Sequence, residues 1–275
     1  MLYLVSTPIG NLGDISGRAK ETLASADLIA CEDTRTTRSL LTLLGIKHGP
    51  LTAYHEHNAD KARPQLIKKL QQGVNIALVS DAGTPLVSDP GYKLVRDCRE
   101  QNLPVTTIPG ANAVLSALQL SGLPSDCFYF GGFLSPKQSA RRQELNTIKN
   151  LQATVIFYDT PNRLIETLTD ISKVCGNRKV AVVREITKKF EETKIDEVQN
   201  LIQFYTENGT PKGELVLVID RENAQNIDLS PEQLDELILK TVQKSSSKET
   251  AELIAGLTGL PKKQIYKRVV ELKNG

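Results

Sequence analysis

Residues 74–91 read VNIALVSDAGTPLVSDPG, and this stretch decides the fold. The run Val74–Val79 is short, mainly apolar and rich in β-branched side chains, which predicts a buried strand. The twelve residues that follow, Ser80–Gly91, hold two Asp, two Gly and two Pro, more than a plain connection needs. Glycine lets a ligand approach the backbone, and proline fixes the shape of a loop. We therefore expect a buried strand that ends in a ligand-binding loop.

The same alternation of strand and helix extends over the first 110 residues. Further short apolar runs predict strands at Leu2–Ser6, Leu28–Cys31 and Val105–Ile108. Helical periodicity between the strands predicts helices over Ser16–Ala26, Thr36–Leu44, Ala59–Gln72 and Tyr92–Gln101. This βαβα order is typical of an α/β fold in which a largely parallel sheet carries helices on both faces.

A second unit begins after Pro124. Its predicted strands are Cys127–Phe130, Thr154–Phe157, Lys179–Val183 and Glu214–Ile219, and its predicted helices are Ala140–Lys149, Asn162–Val174 and Val198–Tyr205. From Arg221 to Leu229 the sequence is polar and unpatterned, which indicates a linker. Only helical patterns follow, over Pro231–Val242, Lys248–Leu257 and Pro261–Leu272. We therefore divide the chain into an N-terminal lobe (1–123), a C-terminal lobe (124–221) and a helical appendage (222–275).

Charge and composition restrict the partners of the chain. The net charge of +2 says little, but residues 240–275 hold eight Lys or Arg against three Glu. This excess indicates an appendage that binds nucleic acid, or else a helical cap with a solvated basic face. The four cysteines form no CxxC pair, so we expect buried thiols and no metal site. No signal peptide and no run of about 18 apolar residues is found, so we expect a cytosolic protein.

Three loops rich in Gly and Pro follow predicted strands, at Thr7–Asp14, Ser80–Gly91 and Pro109–Ala113. In an open parallel sheet, ligands bind beyond the carboxyl ends of the strands. None of these loops carries the GxGxxG, GxxxxGK[ST] or GxSxG pattern of dinucleotide, nucleoside triphosphate or hydrolase sites. The three histidines lie on one short segment, which disfavours zinc chemistry. The loops therefore predict one ligand site of another kind.

In this order the loops resemble those of the tetrapyrrole-methylase superfamily. The closest resemblance is to its cytidine-2′-O-methyltransferases of small-subunit ribosomal RNA, and it rests on Ser6–Leu12 (STPIGNL), Cys31–Arg35 (CEDTR), Val79–Gly91, Phe130–Lys137 (FGGFLSPK) and Lys212–Glu214 (KGE). The resemblance implies two α/β lobes with S-adenosylmethionine in the cleft between them, a homodimer, and 16S rRNA as the substrate.

Carried over by position, the resemblance implies cofactor contacts from all three loops and from the second lobe. The residues concerned are Pro8, Asp81, Gly83, Thr84, Val87, Asn112, Ala113, Tyr158 and Gly213. Asn112 departs from the smaller residue, Ser or Cys, expected there. The types of residue suit the ligand, because backbone N–H groups and helix N-termini bind a carboxylate and an apolar slot accepts adenine.

Methyl transfer from a sulfonium is an in-line displacement that depends on alignment, and a base or a cation pair helps to remove the proton of a ribose hydroxyl. Candidates for this role are Glu32, Asp33, Arg35, Arg184, Glu185 and Lys212. For Glu32–Arg35 the alternative is a helix N-cap with a surface ion pair, and Arg184-Glu185 has a similar structural alternative. Contacts to RNA phosphates are expected from Lys137, Arg141, Arg142, Lys262, Lys263, Lys267 and Arg268.

Two other classes of function stay open at this stage. One is a methyltransferase of small porphyrinoid molecules, which would not need the basic appendage. The other is a ribosome-assembly factor that keeps the fold but only binds RNA.

Overall fold

The computed structural model describes residues 1–221, 230–243, 245–258 and 260–274. The predicted linker falls almost wholly outside these residues. The first sheet consists of β1 (Leu2–Val5), β2 (Leu28–Cys31), β3 (Leu51–Ala53), β4 (Ile76–Val79) and β5 (Val105–Ile108). All its strand pairs are parallel, and the strand order is β3-β2-β4-β1-β5. The predicted parallel sheet is confirmed.

Helices cover both faces of this sheet, as the sequence predicts. They are α1 (Gly17–Ser25), α2 (Thr34–Leu43), α3 (Ala59–Gln71) and α4 (Tyr92–Glu100). Side chains alternate along each strand, so that Ile29 and Ala77 pack under α1 and α2 while Leu28 and Leu78 pack under α3 and α4. Burial on both faces explains why the strands are apolar throughout.

The second sheet is mixed rather than parallel. Its strands are β6 (Phe128–Phe133), β7 (Thr154–Asp159), β8 (Lys179–Arg184), β9 (Glu192–Glu197) and β10 (Leu215–Ile219). The order is β6-β7-β10-β8-β9, with β6 and β7 parallel and all other pairs antiparallel. Three helices cover one face, namely α6 (Gln138–Ile148), α7 (Leu164–Cys175) and α8 (Val198–Asn208).

One helix that the sequence did not predict joins the two sheets. This helix, α5 (Ala113–Ser121), packs through Val114 and Leu118 against Ala181 and Val218 of the second sheet. It thus follows the last strand of the first sheet but belongs by packing to the second. The crossing between the sheets therefore lies in residues 109–112, ahead of the boundary at 123 that the sequence suggests.

The C-terminal helices form a small bundle of their own. They are α9 (Pro231–Val242), α10 (Ser247–Thr258) and α11 (Lys262–Asn274), and they pack around Ile238, Ile254 and Ile265. Ser230 begins the bundle with a capping box, in which its side chain and that of Gln233 exchange hydrogen bonds with each other's backbone. Within the described residues, no helix is long and apolar enough to span a bilayer.

Several details differ from the sequence predictions. The strands β3 and β9 were not predicted. The turn at Asp159–Asn162 does not cap α7, because Arg163 takes the N-cap position without a side-chain bond. Of the cysteines expected to be buried, Cys31 and Cys98 are buried but Cys127 is exposed.

A buried ion pair holds α6 to α7. The Arg141 and Asp170 side chains are both fully buried, and Nη2 of Arg141 lies 2.7 Å from Oδ2 of Asp170. Arg142 donates from Nε to the other carboxylate oxygen at 2.7 Å, and Glu166 lies at 3.4 Å from Arg141. The prediction that Arg141 contacts RNA is therefore wrong, because its guanidinium is enclosed between helices.

We predict that Asp170→Ala lowers the free energy of unfolding by about 3–5 kcal/mol, because it leaves the Arg141 charge buried without its main partner. Glu166→Gln is the control: Glu166 pairs with the same guanidinium but is 67% exposed, so its loss should cost less than about 1 kcal/mol. Urea unfolding measures both. Equal losses for the two variants would show that the buried pair does not stabilise the fold.

Candidate functional site

The three loops rich in Gly and Pro meet because they leave neighbouring strands. In the strand order, β1 lies between β4 and β5, and parallel strands end at the same edge. Thr7 and Gly83 form a backbone bridge with N···O distances of 2.9 and 3.1 Å. The Thr84 hydroxyl donates to the carbonyl of Ala111 at 3.0 Å. The first, second and third loops are thus tied together into one rim.

This rim and the second sheet enclose a cavity of about 310 Å³. The three loops contribute Ile9, Ala82, Gly83, Thr84, Val87, Ser88, Asp89, Asn112 and Ala113. The second sheet and the connections that adjoin it contribute Phe133, Tyr158, Asp159, Thr160, Gly213, Glu214, Leu215 and Val216. The predicted cleft between the two lobes is therefore present, and its size is that of a small-molecule site.

The charges around this cavity are all acidic. Asp89, Asp159 and Glu214 contribute carboxylates, and no Lys or Arg lines the cavity within the described part of the chain. The apolar side chains of Ile9 and Val87 line other parts of the wall. The cavity is therefore suited to a ligand that combines positive charge with an apolar portion.

Helix α5 begins at the cavity wall. Asn112 is its N-cap, and its side-chain oxygen accepts a hydrogen bond from the backbone N–H of Leu115 at 3.0 Å. Asparagine is among the best N-cap residues, as is serine. The departure at position 112 thus preserves the cap, and the N–H groups of the first helical turn remain available to a ligand carboxylate.

Two glycines are required by the shape of the cavity. Gly83 and Gly213 both line it and have positive φ angles of 79° and 103°. A Cβ at Gly213 would lie 2.5 Å from the Glu185 side chain. Other residues would strain the backbone here, so glycine is explained by geometry at both positions.

Most of the residues predicted to contact a cofactor lie together in this cavity. They are Gly83, Thr84, Val87, Asn112, Ala113, Tyr158 and Gly213. Two others do not line it: Pro8, in the first loop, is buried, and the carboxylate of Asp81 accepts a hydrogen bond from the backbone N–H of Asp33 at 3.1 Å. Ser88, Asp89 and Phe133 line the cavity although the sequence did not single them out.

Tyr158 forms the wall on the side of the second sheet. Its ring packs edge-on against Phe130 at 5.0 Å and against Phe133 at 5.2 Å between centroids. Burial, together with the nearby carboxylates of Asp89 and Glu214, raises the pKa of the Tyr158 hydroxyl to about 12. The hydroxyl therefore stays protonated and acts as a hydrogen-bonding group, not as a base.

The pair Asp33 and Arg35 has the structural role that the sequence left open. Asp33 caps α2 by accepting from the backbone N–H of Arg35 at 2.7 Å, and its other oxygen lies 2.8 Å from Nη2 of the same residue. These hydrogen bonds lower the pKa of Asp33 to about 2. Arg35 is 86% exposed. Neither side chain lines the cavity, so the pair caps a helix at its margin.

Glu185 stabilises the turn at Gly213, which forms part of the cavity wall. Its Oε1 accepts from Nζ of Lys188 at 2.8 Å and from the backbone N–H of Glu214 at 3.0 Å. These bonds lower the pKa of Glu185, and the bond from Lys188 has the largest effect. Lys188 also lies 2.9 Å from the Glu214 carboxylate. Glu185 thus holds the turn at Gly213, and the side chain of Lys212 is exposed.

Glu32 lies at a second cavity, of about 390 Å³, beside the first. Its lining is Glu32, Tyr54, Glu56, Ala59, Asp60, Ser88, Asp89, Pro90, Gly91, Tyr92 and Lys93. Burial, followed by the charge of Asp81, raises the pKa of the Glu32 carboxyl. Ser88 and Asp89 belong to the walls of both cavities.

The residues predicted to contact RNA are dispersed. Lys137 is exposed at the start of α6, and Arg142 is half-buried against Asp170. On the bundle, Lys262 pairs with Glu252 at 2.8 Å, and Arg268 lies 2.5 Å from Asp235. Lys263 and Lys267 are exposed and four residues apart on α11, and no ion pair involves either within the described ranges.

Comparison with known proteins gives close relatives over the whole chain. The sequence model of the Tetrapyrrole (Corrin/Porphyrin) Methylases matches residues 1–202. A protein from Mesorhizobium japonicum called ribosomal RNA small subunit methyltransferase I is 47% identical over 274 residues, 99% of this chain and 92% of that protein. Its namesake from Synechocystis sp. is 46% identical over 280 residues, 99% of this chain and 98% of that protein.

A solved structure shows a similar fold at low sequence identity. It is uroporphyrin-III C-methyl transferase from Thermus thermophilus complexed with S-adenyl homocysteine, with a TM-score of 0.53 and 15% identity. The match covers 79% of this chain and 96% of that chain. At this identity the likeness concerns the fold alone, whereas the relatives above extend through the C-terminal helices.

Proposed function

Because this chain belongs to the tetrapyrrole methylase family and, within it, to the ribosomal RNA small subunit methyltransferase I family, we propose that it methylates the RNA of the small ribosomal subunit with S-adenosylmethionine. The finer proposal is that the acceptor is the 2′-hydroxyl of a cytidine ribose in the decoding region of 16S rRNA.

The cavity between the two sheets is the observation that carries this proposal. S-adenosylmethionine has a sulfonium and an ammonium group, and the carboxylates of Asp89, Asp159 and Glu214 suit these positive charges. Its own carboxylate suits the N-terminus of α5. Its adenine suits the apolar wall near Ile9 and Val87. The residues present therefore fit the cofactor.

When bound, S-adenosylmethionine supplies an electrophilic methyl group. The residues of this chain bind and orient it: the predicted set Gly83, Thr84, Val87, Asn112, Ala113, Tyr158 and Gly213 lines the cavity. Glu185 and Lys188 contribute indirectly, because they fix the position of the turn at Gly213. In-line displacement depends on alignment, so rigid walls of this kind account for much of the expected rate.

We propose that the two lobes and the appendage have different roles, with the boundary between the lobes at residues 109–112, where the chain crosses from the first sheet to the second. The two lobes hold the cofactor, with α5 bridging them, and the appendage contacts RNA. Its exposed Lys263 and Lys267 support this role, because unpaired lysines on one helix face are suited to phosphates. Lys137 and Arg142 lie on the C-terminal lobe and are proposed as further contacts.

A homodimer in the cytoplasm completes the proposal. The edge strand β6 exposes Phe128, Tyr129 and Phe133, and α5 exposes Leu115 and Leu120. Exposed apolar residues on an edge strand are a common feature of protein interfaces. The cytoplasmic location follows from the proposed substrate, because small ribosomal subunits are found there.

The function is tested with small subunits that lack the modification. Treated with the pure protein and S-adenosylmethionine, they should gain a 2′-O-methylated cytidine, which mass spectrometry of nuclease fragments locates. Cofactor binding without methylation of any RNA would contradict the proposed RNA methyltransferase activity and favour a ribosome-assembly factor. Methylation of a porphyrinoid but not of RNA would favour the small-molecule enzyme.

We predict that Ala113→Leu weakens the binding of S-adenosylmethionine by about 100-fold or more, equivalent to about 3 kcal/mol. Ala113 lines the cavity at the first turn of α5, so a larger side chain fills the space of the ligand. Calorimetry measures the affinity. Gln119→Leu, on an exposed position of the same helix, is the control and should bind normally. Unchanged affinity of Ala113→Leu would place the cofactor elsewhere.

We predict that Lys263→Glu/Lys267→Glu impairs methylation of subunits while cofactor affinity is unchanged. Affinity for subunits falls as salt concentration rises. Each phosphate contact that is lost should reduce the steepness of log affinity against log salt concentration by about 1. Binding to subunits over a series of salt concentrations measures this slope. The matched control is Lys68→Glu/Lys69→Glu on α3, which makes the same change of charge at exposed positions. Equal effects of both pairs would exclude a specific role for the appendage.

A further inference from the structure

Two cavities adjoin each other at the carboxyl edge of the first sheet. The cofactor cavity lies over β4, β1 and β5, and the second cavity lies where β2 pairs with β4. The loop Ser80–Gly91 leaves β4, the strand common to both regions. Ser88 and Asp89 are therefore the residues that border both cavities.

The second cavity has the size and the side chains to receive a nucleoside. It measures about 390 Å³ and combines carboxylates with the rings of Tyr54 and Tyr92. Tyr92 is 62% exposed, and exposed aromatic residues stack on unpaired bases. Carboxylates accept hydrogen bonds from an exocyclic amino group such as that of cytosine. A nucleoside seated there would have its ribose near the wall that the two cavities share.

We propose that Asp89 is the catalytic base, which takes the proton from the ribose 2′-hydroxyl of a target nucleoside seated in the second cavity. This inference rests on the proposed function. The O–CH₃ bond forms as the bond between the methyl carbon and sulfur breaks, so the sulfonium becomes a neutral thioether. The hydroxyl proton passes to the Asp89 carboxylate and from there to water. No other co-reactant is needed.

The other acidic groups around the cofactor cavity are already paired. Asp159 lies 3.2 Å from Nη2 of Arg163, and Glu214 lies 2.9 Å from Nζ of Lys188. In the described part of the chain, no Lys or Arg forms an ion pair with Asp89. Of these three carboxylates, only Asp89 also lines the second cavity. Asp89 is thus the carboxylate best placed to accept a proton.

The surroundings of Asp89 also raise its proton affinity. Burial is the main cause, and the charges of Glu32 and Asp81 add to it, so that the pKa of Asp89 rises to about 6 although the Ser80 hydroxyl opposes the shift. Tyr158 faces it from the second sheet. Glu56, Asp60 and Lys93 line the second cavity with it. A base with a pKa near the working pH is effective and still mostly ionised.

The test compares Asp89→Asn and Asp89→Glu with the wild type in single turnovers on subunits at saturating S-adenosylmethionine. We expect Asp89→Asn to slow methyl transfer by about 100-fold or more, and Asp89→Glu to restore part of the rate. The wild-type rate should rise with pH and level off at or below about 6, because the positive charge of the bound cofactor favours the ionised carboxylate, whereas Asp89→Asn should lack this rise. Glu100→Gln, at the other end of α4, removes an exposed carboxylate and should behave as the wild type.

A second measurement does not depend on activity. A carboxyl whose folded pKa is raised loses its contribution to stability as pH rises from the ordinary value of 3.8 through about 6. Asp89→Asn removes this loss. Its melting temperature should therefore exceed that of the wild type by a margin that grows over this range and is constant above it. A difference in melting temperature that does not grow with pH over this range would contradict the electrostatic environment on which the inference depends.

The outcomes separate this inference from the proposed function. If the wild type methylates subunits and Asp89→Asn does so at the wild-type rate with the same pH profile, Asp89 is not the base and the function stands. If the wild type methylates no RNA, both proposals fail. If Asp89→Asn and Asp89→Glu are equally slow and the wild-type rate shows no rise with pH up to about 6, the proton goes elsewhere and the role of Asp89 is refuted.

Discussion

The whole site depends on the parallel pairing of β4, β1 and β5. Parallel strands end at the same edge, so three loops that are far apart in sequence lie side by side. The backbone bridge between Thr7 and Gly83 then fixes the first loop to the second. The hydroxyl of Thr84 fixes the second to the third. A ligand that binds here meets one rigid rim, because none of the loops can move without breaking hydrogen bonds to a neighbour.

The sequence predicts the parts of the fold whose burial is complete. Strands such as Ile76–Val79 are apolar at every position because helices cover both faces. By contrast, β9 reads Glu-Thr-Lys-Ile-Asp-Glu and β3 has three residues, so neither gives a hydrophobic signal. Both are edge strands, and edge strands are often short or charged. Helix α5 was missed because it follows the third loop directly, where the Gly and Pro pattern dominates.

The sequence identifies the site residues that lie in loops of unusual composition. It does not identify those that are brought together only by the order of the strands. The residues proposed to contact the cofactor share a local composition that the sequence displays. The sequence places Asp89 in the predicted ligand-binding loop Ser80–Gly91, but only the pairing of β2 with β4 reveals that it lies near Glu32. Asp33 and Arg35 lie next to Glu32 in sequence, but their side chains form an ion pair with each other. Local sequence cannot distinguish a carboxylate that caps a helix from one that faces a cavity.

The loop Ser80–Gly91 is costly to fold, and this cost is informative. Leu86 and Ser88 both adopt positive φ angles, of 73° and 65°, at a cost of about 1–2 kcal/mol each for residues with a Cβ. Burial is the main cause of the raised pKa values of Glu32 and Asp89 beside them; the charge of Asp81 adds to both, and the charge of Glu32 adds to that of Asp89. Leu86 packs against the core of the first lobe, whereas Ser88 and Asp89 border both cavities. A cationic ligand in the adjoining cavity would offset the repulsion between these carboxylates, which agrees with the proposed role of the loop in binding.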